Sequence, residues 1–319
     1  MQEPIFFEPI YKDYIWGGNR LKKDMQKSTP FEKTAESWEI SSNKNGETII
    51  RNGEYQGKTI DAIWENKEIR KKLFGTKTEN LEKFPLLVKF IDAETNLSVQ
   101  VHPDDIYAKE RENSFGKTEM WYIIDCKPEA QIIYGLKKGI SKKELPNILT
   151  SKKIVEYLNF VNVEPGDCIY IPSGTIHAIL GDTLICEIQQ NSDLTYRVYD
   201  WERVGKDGKP RELHTQKAID VTQVEQELKI EKTKAMKTGK KEIINSPYFK
   251  IDKLKIENNV IEESNPETFF ILNIIKGNGG IKVQEREYSL KLGDSFIIPS
   301  NLGKYELKGN LEILKTYLT

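Results

Sequence analysis

The chain has 319 residues, which is enough for one large or two medium-sized domains with buried cores. Its 48 Lys and Arg residues nearly balance its 49 Asp and Glu residues, and the resulting net charge of −1 argues against a nucleic-acid or membrane-surface partner. No apolar run reaches the ~18 residues of a membrane span, and the N-terminus lacks the basic start and cleavage site of a signal peptide. We therefore expect a cytoplasmic enzyme or binding protein.

The three cysteines, Cys126, Cys168 and Cys186, are widely spaced and lie in apolar runs. No Cys-x-x-Cys pair occurs, which argues against a cysteine-based zinc site or a disulfide framework. We interpret all three as small core residues.

Three short helices are predicted, over residues 59–75, 104–113 and 141–160. The first begins with a threonine suited to the N-cap and ends at a glycine, which favours helix termination. The third opens with Ser141 and Glu144, which have the spacing of a capping box, and apolar residues at helical spacing follow them.

Most of the remaining chain consists of short runs rich in β-branched and aromatic residues, separated by turn residues. This regular spacing of short strands and turns predicts a mainly β protein built as a sandwich or jelly roll. Before residue 240 the predicted strands are LLVKFI, LSVQV, EMWYIID, AQIIYG, CIYIP, TLICEIQQ and TYRVYDW, and after it they are YFKIDKLKI, TFFILNIIKG, GIKVQ, SFIIP and LEILKTYL.

A basic, polar stretch, KTKAMKTGKKE at residues 232–242, interrupts the strands and predicts an exposed connection. We therefore expect two domains, over residues 1–240 and 241–319.

An internal repeat links the two halves. GDCIYIPSGTIH, residues 166–177, and GDSFIIPSNLGK, residues 293–304, share Gly-Asp, three residues and Ile-Pro. The first copy ends in His177, whereas the second has Lys304 at the matching position. A duplicated β unit is predicted, and its second copy is expected to hold no metal.

Two of the chain's three histidines lie in patterned stretches that suggest a metal site. His177 ends the first repeat, Gln100 and His102 share one face of a predicted strand, and Glu119 begins another strand. One imidazole alone would more often be a packed or hydrogen-bonded residue. Two imidazoles with a carboxylate favour an open site for Zn²⁺, Fe²⁺ or Mn²⁺. His214 does not lie in a motif with other potential metal ligands, and it is expected at the surface or at a domain contact.

These motifs together resemble those of a known family. The spacing in residues 166–177 matches the second motif of the cupin superfamily, and Gln100, His102 and Glu119 resemble a modified first motif. More narrowly, the chain resembles type I mannose-6-phosphate isomerases (phosphomannose isomerases) of the short bacterial form, strongly over residues 1–220. The matching stretches are YKDYIWGG, AESWEIS, LLVKFIDAETNLSVQVHPDD, GKTEMWYI, GDCIYIPSGTIHAI and CEIQQNSDLTYRVYDW.

The resemblance implies two cupin-type jelly-roll domains, the second degenerate, and one zinc ion per chain. It also implies interconversion of mannose 6-phosphate and fructose 6-phosphate through a cis-enediol. We expect no obligate protein partner. Larger family members insert a helical domain, for which only residues 141–160 could stand here. The implied zinc ligands are Gln100, directly or through water, His102, Glu119 and His177. The implied active-site residues are Arg197, Glu187 and Lys117, with Ser98 and Lys117 near the substrate.

The chemistry suggests a role for each of these residues. Glu187 shares a strand face with Ile185 and Gln189, from which a carboxylate can shuttle the proton between neighbouring carbons. Arg197 could stabilise the enediolate, and Lys117 with Ser98 could hold the phosphate or assist ring opening. Structural alternatives are a Glu187–Arg197 ion pair and a solvated Lys117.

Two other functional classes stay open from the sequence. Another cupin metalloenzyme, either a sugar-phosphate isomerase or an iron oxygenase, could use the same metal ligands, and oxygen uptake would distinguish the oxygenase. A non-catalytic sugar-binding bicupin would usually lack part of the ligand set or the Glu187 and Arg197 pair.

Overall fold

The computed structural model describes residues 3–151, 153–205 and 208–319. The fold is mainly β, as the spacing of the predicted strands indicates. The strands pair antiparallel in sheets of seven, five, eight and two strands. In spatial order the seven-stranded sheet consists of Ile230–Lys232, Asp167–Ile171, Glu119–Cys126, Thr183–Gln190, Leu86–Ala93, Glu36–Ile40 and Ile10–Lys12. The five-stranded sheet consists of Leu158–Asn162, Gln131–Leu136, His177–Ile179, Val99–Val101 and Tyr196–Tyr199.

The eight-stranded sheet contains the C-terminal strands and two segments from near the N-terminus. In spatial order it consists of Gly239–Asn245, Lys250–Glu263, Lys304–Tyr317, Phe270–Val283, Ser295–Ile298, Ile5–Glu8 and Ile49–Ile50, with Arg286–Lys291 added beside Phe270–Val283. The two-stranded sheet pairs Ser42–Asn43 with Gly46–Glu47. The helices are Arg20–Lys23, Ile60–Trp64, Lys67–Phe74, Asp105–Glu112, Leu145–Leu149 and Thr215–Val221, with 3-10 turns at Thr76–Thr78 and Ile154–Tyr157.

The seven-stranded sheet is buried on both faces, which explains why its central strands read as nearly continuous apolar runs. One face meets the five-stranded sheet across a core that includes Ile91, Trp121 and Ile132. The other face packs Phe90 and Met120 against the eight-stranded sheet. The first two sheets thus enclose a barrel-like interior, and the third supports it from behind.

The predicted helices are correct in part. Residues 104–113 form a helix capped by Asp104, whose side chain accepts a hydrogen bond from the Tyr107 N–H. Residues 59–75 form two helices, because Asn66 accepts hydrogen bonds from backbone N–H groups and starts a second helix. That second helix ends at Gly75, as predicted, with a φ of 88°.

The helix predicted over residues 141–160 is wrong for most of its length. The Ser141 hydroxyl does donate to Glu144, but the helix covers only Leu145–Leu149. Residues Leu158–Asn162 form a strand that pairs with Gln131–Leu136. Tertiary strand pairing therefore overrides the local helical pattern. The short helix covers the outer face of the five-stranded sheet.

The internal repeat is also a structural repeat. Gly166 and Gly293 both have positive φ angles, of 98° and 91°. In each copy the next residue, Asp167 or Asp294, accepts a hydrogen bond from the backbone N–H three residues earlier. Lys304, at the position that matches His177, is exposed.

The predicted connection is mostly exposed, but it does not separate the sheets cleanly. The edge strand Gly239–Asn245 begins inside it, and Ile5–Glu8 pairs with Ser295–Ile298. The domain boundary near residue 240 stays a prediction. Within the described ranges, no helix is long and apolar enough to cross a membrane.

A buried lysine links the eight-stranded sheet to the seven-stranded sheet. Lys253 Nζ lies 2.7 Å from Glu312 Oε2 and donates to the Tyr122 hydroxyl at 2.8 Å. The Lys253 side chain is 2% exposed, so its charge has little access to water. The hydrogen bond to Tyr122 therefore joins the two sheets, and the ion pair with Glu312 lies within the eight-stranded sheet.

We predict that Lys253→Met lowers the free energy of unfolding by about 3 kcal/mol, because it leaves Glu312 without its buried partner. Urea unfolding measures this change. Lys234→Met, which removes an exposed partner of Glu164, is the matched control and should leave the midpoint unchanged. Equal midpoints for the two variants would contradict a structural role for the buried pair.

Candidate metal centre and active-site cavity

Three buried side chains converge between the seven-stranded and five-stranded sheets. His102 Nε2 lies 3.1 Å from His177 Nε2, and these two atoms lie 3.5 and 3.3 Å from Glu119 oxygens. All three side chains are at most 1% exposed. They are the group of potential metal ligands found in the described part of the chain.

Hydrogen bonds to carbonyl groups orient both imidazoles. His102 Nδ1 contacts the Leu194 carbonyl oxygen at 2.7 Å, and His177 Nδ1 contacts the Thr175 oxygen at 2.8 Å. A carbonyl only accepts, so in each ring the proton is assigned to Nδ1 and the Nε2 lone pair faces the centre. Burial, with a smaller contribution from Lys117, lowers the pKa of His102 well below its usual value and the pKa of His177 to about 3. Both rings therefore stay neutral.

The centre fits a cation. Both carboxylate oxygens of Glu119 are buried without a hydrogen-bond partner of good geometry, although Lys117 Nζ lies 3.1 Å from Oε2. Two imidazole lone pairs and a carboxylate therefore face one point. Such an arrangement of acceptors is unfavourable unless a positive charge lies among them.

The Pro-Gly turn positions His177 as the sequence pattern predicts. The Gly174 N–H donates to the His102 carbonyl at 2.8 Å, which joins the two ligand-bearing segments. Gly174 has a φ of 82°, and a Cβ there would lie 2.9 Å from the Val221 oxygen. Only glycine fits this turn without strain.

Gln100 and Lys117 border the centre. Gln100 lies opposite His177 in the sheet register, and its Nε2 is 3.4 Å from His177 Nε2. The amide nitrogen of Gln100 faces the ring, and a 180° rotation of the amide group would present its oxygen to the centre instead. Lys117 is 4% exposed, so the alternative of a solvated loop charge is wrong.

A row of side chains crosses the seven-stranded sheet beside the centre. Trp38, Lys89, Glu187 and Trp121 are successive register partners on four adjacent strands. Lys89 Nζ donates to Glu187 Oε1 at 2.9 Å, and Trp121 Nε1 donates to Glu187 Oε2 at 3.0 Å. Glu187 thus pairs with Lys89 and not with Arg197, so the proposed Glu187–Arg197 ion pair is wrong.

These contacts keep Glu187 ionised. Burial by itself would raise the pKa of Glu187, but the charges of Lys89 and Lys117 and the two hydrogen bonds lower it. Burial by itself would lower the pKa of Lys89, but the charges of Glu187 and Glu36 raise it. The pair is therefore a carboxylate and an ammonium group held in a fixed geometry.

A cavity of about 430 Å³ opens onto this row. It is lined by five of the residues singled out in the sequence, namely Ser98, Gln100, Lys117, Glu187 and Arg197. The sequence reasoning missed Lys12, Tyr14, Trp16, Glu36, Trp38, Lys89, Asp193 and Arg211 on the same wall. Lys89 in LLVKFI and Glu36 in AESWEIS were detectable, because each is a charged residue inside an apolar strand.

Arg197 lies opposite Gln100 in the sheet register and is also a neighbour of His214. Arg197 Nη1 donates to the Glu212 carbonyl oxygen at 2.8 Å, and the Arg197 N–H donates to His214 Nδ1 at 3.2 Å. His214 is partly exposed and precedes the helix Thr215–Val221. It lies outside the group of potential metal ligands.

Comparisons with known proteins agree with this geometry. A model of the catalytic domain of type I phosphomannose isomerase matches residues 5–144, and a model of the mannose-6-phosphate isomerase cupin domain matches residues 239–318. Mannose-6-phosphate isomerase ManA of Bacillus subtilis is 39% identical over 323 residues, which cover 99% of each chain. The chain belongs to the type I phosphomannose isomerase family.

Solved structures of the family share the fold. The crystal structure of the mannose 6-phosphate isomerase from Bacillus subtilis has a TM-score of 0.86 at 37% identity and covers 99% of each chain. A zinc-bound mannose 6-phosphate isomerase has a TM-score of 0.78 at 15% identity and covers 100% of each chain. The cupin fold expected from the sequence is therefore confirmed.

We predict that His102→Ala and His177→Ala each abolish stoichiometric metal binding, because each removes one of two imidazole donors from a buried centre. Elemental analysis of the purified variants measures the loss. His214→Ala is the matched control, since it removes the chain's remaining histidine, and it should keep full metal content. Full occupancy in either of the first two variants would contradict the assigned ligands.

Proposed function

We propose that this protein is a zinc-dependent mannose-6-phosphate isomerase, which interconverts mannose 6-phosphate and fructose 6-phosphate through a cis-enediol. One observation supports it above all. An ionised carboxylate, Glu187, lies on the strand next to Glu119 of the candidate metal centre, and it lines a cavity large enough for a sugar phosphate. Family membership supports the same reaction.

Zinc is the metal that the donor set favours. Two neutral imidazoles and one carboxylate are typical of catalytic zinc sites, which leave a position open. Zinc, when bound, would act as a Lewis acid that stabilises negative charge on the oxygens of the first two sugar carbons. Gln100 would complete the ligand set directly or through water.

Glu187 would carry the proton between the two carbons. Lys89 and Trp121 each hold one of its oxygens, so the carboxylate keeps one orientation while the substrate binds. A positioned carboxylate base typically contributes about 100- to 10,000-fold to the rate of such a step.

The other cavity residues would stabilise and position the sugar. Arg197 carries a permanent charge on the cavity wall and would stabilise the enediolate oxygens. The contact of Lys117 with Glu119 favours a role near the reacting carbons, such as assistance to ring opening, over a role at the distant phosphate. Ser98, which is buried and lines the cavity, would position the sugar chain.

A non-catalytic sugar-binding bicupin is an alternative that the sequence left open. It would not require a carboxylate held ionised beside the metal centre, so the Lys89–Glu187 pair favours the enzyme. A cytoplasmic location and the lack of an obligate protein partner stay predictions.

A coupled assay that detects fructose 6-phosphate formed from mannose 6-phosphate tests the function directly. Activity should disappear on metal removal and return with Zn²⁺. A protein that is inactive with its metal restored would contradict the proposal, and oxygen uptake with bound iron would indicate the oxygenase alternative.

We predict that Glu187→Gln retains metal and binds substrate but loses isomerisation, because the amide keeps the size of the carboxylate without its basicity. It should also lose exchange of the carbon-2 hydrogen with deuterated solvent, measured by NMR during turnover. Glu212→Gln, which changes an exposed carboxylate, is the control and should keep both activities. Near-normal deuterium incorporation by Glu187→Gln would exclude it as the base and make Lys117 the next candidate.

A further inference from the structure

A loop follows the strand Tyr196–Tyr199, which is an edge strand of the five-stranded sheet. Asp200 lies at its base and accepts hydrogen bonds from two arginines. Arg203 Nη2 donates to Asp200 Oδ1 at 2.6 Å, and Arg211 donates from Nε and Nη2 at 2.8 and 2.6 Å. Trp201 Nε1 fixes the same base by donating to the Leu97 carbonyl at 2.7 Å.

The two arginines point to different sides of this loop. Arg211 lines the active-site cavity together with Arg197 and Thr195. Arg203 instead borders a separate depression, where it donates to the Asn96 carbonyl oxygen. One carboxylate therefore positions one arginine toward the substrate cavity and another away from it.

Three guanidinium groups, those of Arg197, Arg203 and Arg211, lie near the buried carboxylate of Asp200. Arg203 and Arg211 share Asp200, and Arg197 Nε is buried without a hydrogen-bond partner among residues 3–151, 153–205 and 208–319. Burial lowers the pKa of Arg197, and so do the charges of Arg211 and Arg203, while Asp200 and Glu212 act in the opposite direction; like charges at Arg197 and Arg211 repel each other. A bound anion would relieve this repulsion.

The geometry of Arg211 suits a second anion. Its contact with Asp200 uses Nε and Nη2, and Nη1 is the nitrogen outside that contact. A guanidinium held by a carboxylate on one edge is preorganised, so it loses little entropy when it binds a phosphate on another edge.

We propose that Arg211, positioned by Asp200, binds the phosphate group of the sugar phosphate and so determines selectivity for phosphorylated substrates. The inference rests on the proposed isomerase function. In a hexose 6-phosphate the reacting carbons and the phosphate lie at opposite ends of the molecule. Lys117 contacts Glu119 of the metal centre, whereas Arg211 lines the same cavity from beyond the edge strand Tyr196–Tyr199 and offers a fixed cation there.

Arg211→Gln tests this proposal against Arg203→Gln, which removes an arginine from the same carboxylate without changing the cavity wall. Loss of a charge-assisted hydrogen bond should raise the KM for mannose 6-phosphate by about 10- to 100-fold, with kcat changed only a few fold. Arg203→Gln should keep the KM of the unmodified protein. Metal content and thermal midpoint serve as controls for both variants.

Arg211→Lys keeps the charge but not the two-nitrogen contact with Asp200, so its KM should lie between those of the unmodified protein and Arg211→Gln. The KM of Arg211→Lys also tests the proposal if Arg211→Gln is too unstable to assay. A KM for Arg211→Gln or Arg211→Lys equal to that of Arg203→Gln would overturn the proposal.

Direct binding separates this inference from the proposed function. Titration calorimetry with inorganic phosphate should show binding to the unmodified protein and to Arg203→Gln, and at least tenfold weaker binding to Arg211→Gln. This pattern would support the subsite even if the isomerase assay failed. Equal phosphate affinity in all three proteins would overturn the subsite even if the isomerase assay succeeded.

Discussion

The rest of the site depends on the convergence of three buried side chains, those of His102, His177 and Glu119. Hydrogen bonds from both Nδ1 atoms to backbone carbonyls fix the rings, so two lone pairs and a carboxylate must face one another. Burial raises the pKa of Glu119 to about 7, so either a bound cation or a proton on this carboxyl group makes the arrangement favourable. The Gly174 turn, which bonds to the His102 carbonyl, maintains the geometry by linking the two segments that carry the imidazoles.

The seven-stranded sheet separates the chemistry from the structural support. Its inner face carries Glu119, Lys89 and Glu187, whereas its outer face packs apolar side chains against the eight-stranded sheet. The cavity is lined by residues no later in the chain than Arg211. The C-terminal strands therefore support the sheet that holds the charged groups, and they leave the chemistry to the N-terminal part.

Much of the fold was predictable because strand patterns and turn chemistry are local. TLICEIQQ forms the strand Thr183–Gln190, and the repeated Gly-Asp turn adopts the same hydrogen bonding in both copies. The helix predicted over residues 141–160 failed where Leu158–Asn162 finds a strand partner distant in sequence. Local periodicity carries no information about such a partner.

The sequence by itself indicated which three side chains converge in the candidate metal centre, because each lies in a local strand or turn motif. It also indicated that Ser98, Lys117, Glu187 and Arg197 belong near one site, and all four line the cavity. The tertiary structure alone decided the charge partners. Glu187 pairs with Lys89 because their strands are adjacent in register, and Arg211 reaches the cavity because Asp200 turns it inward. Sheet pairing and burial set which opposite charges meet, and neither is encoded in local spacing.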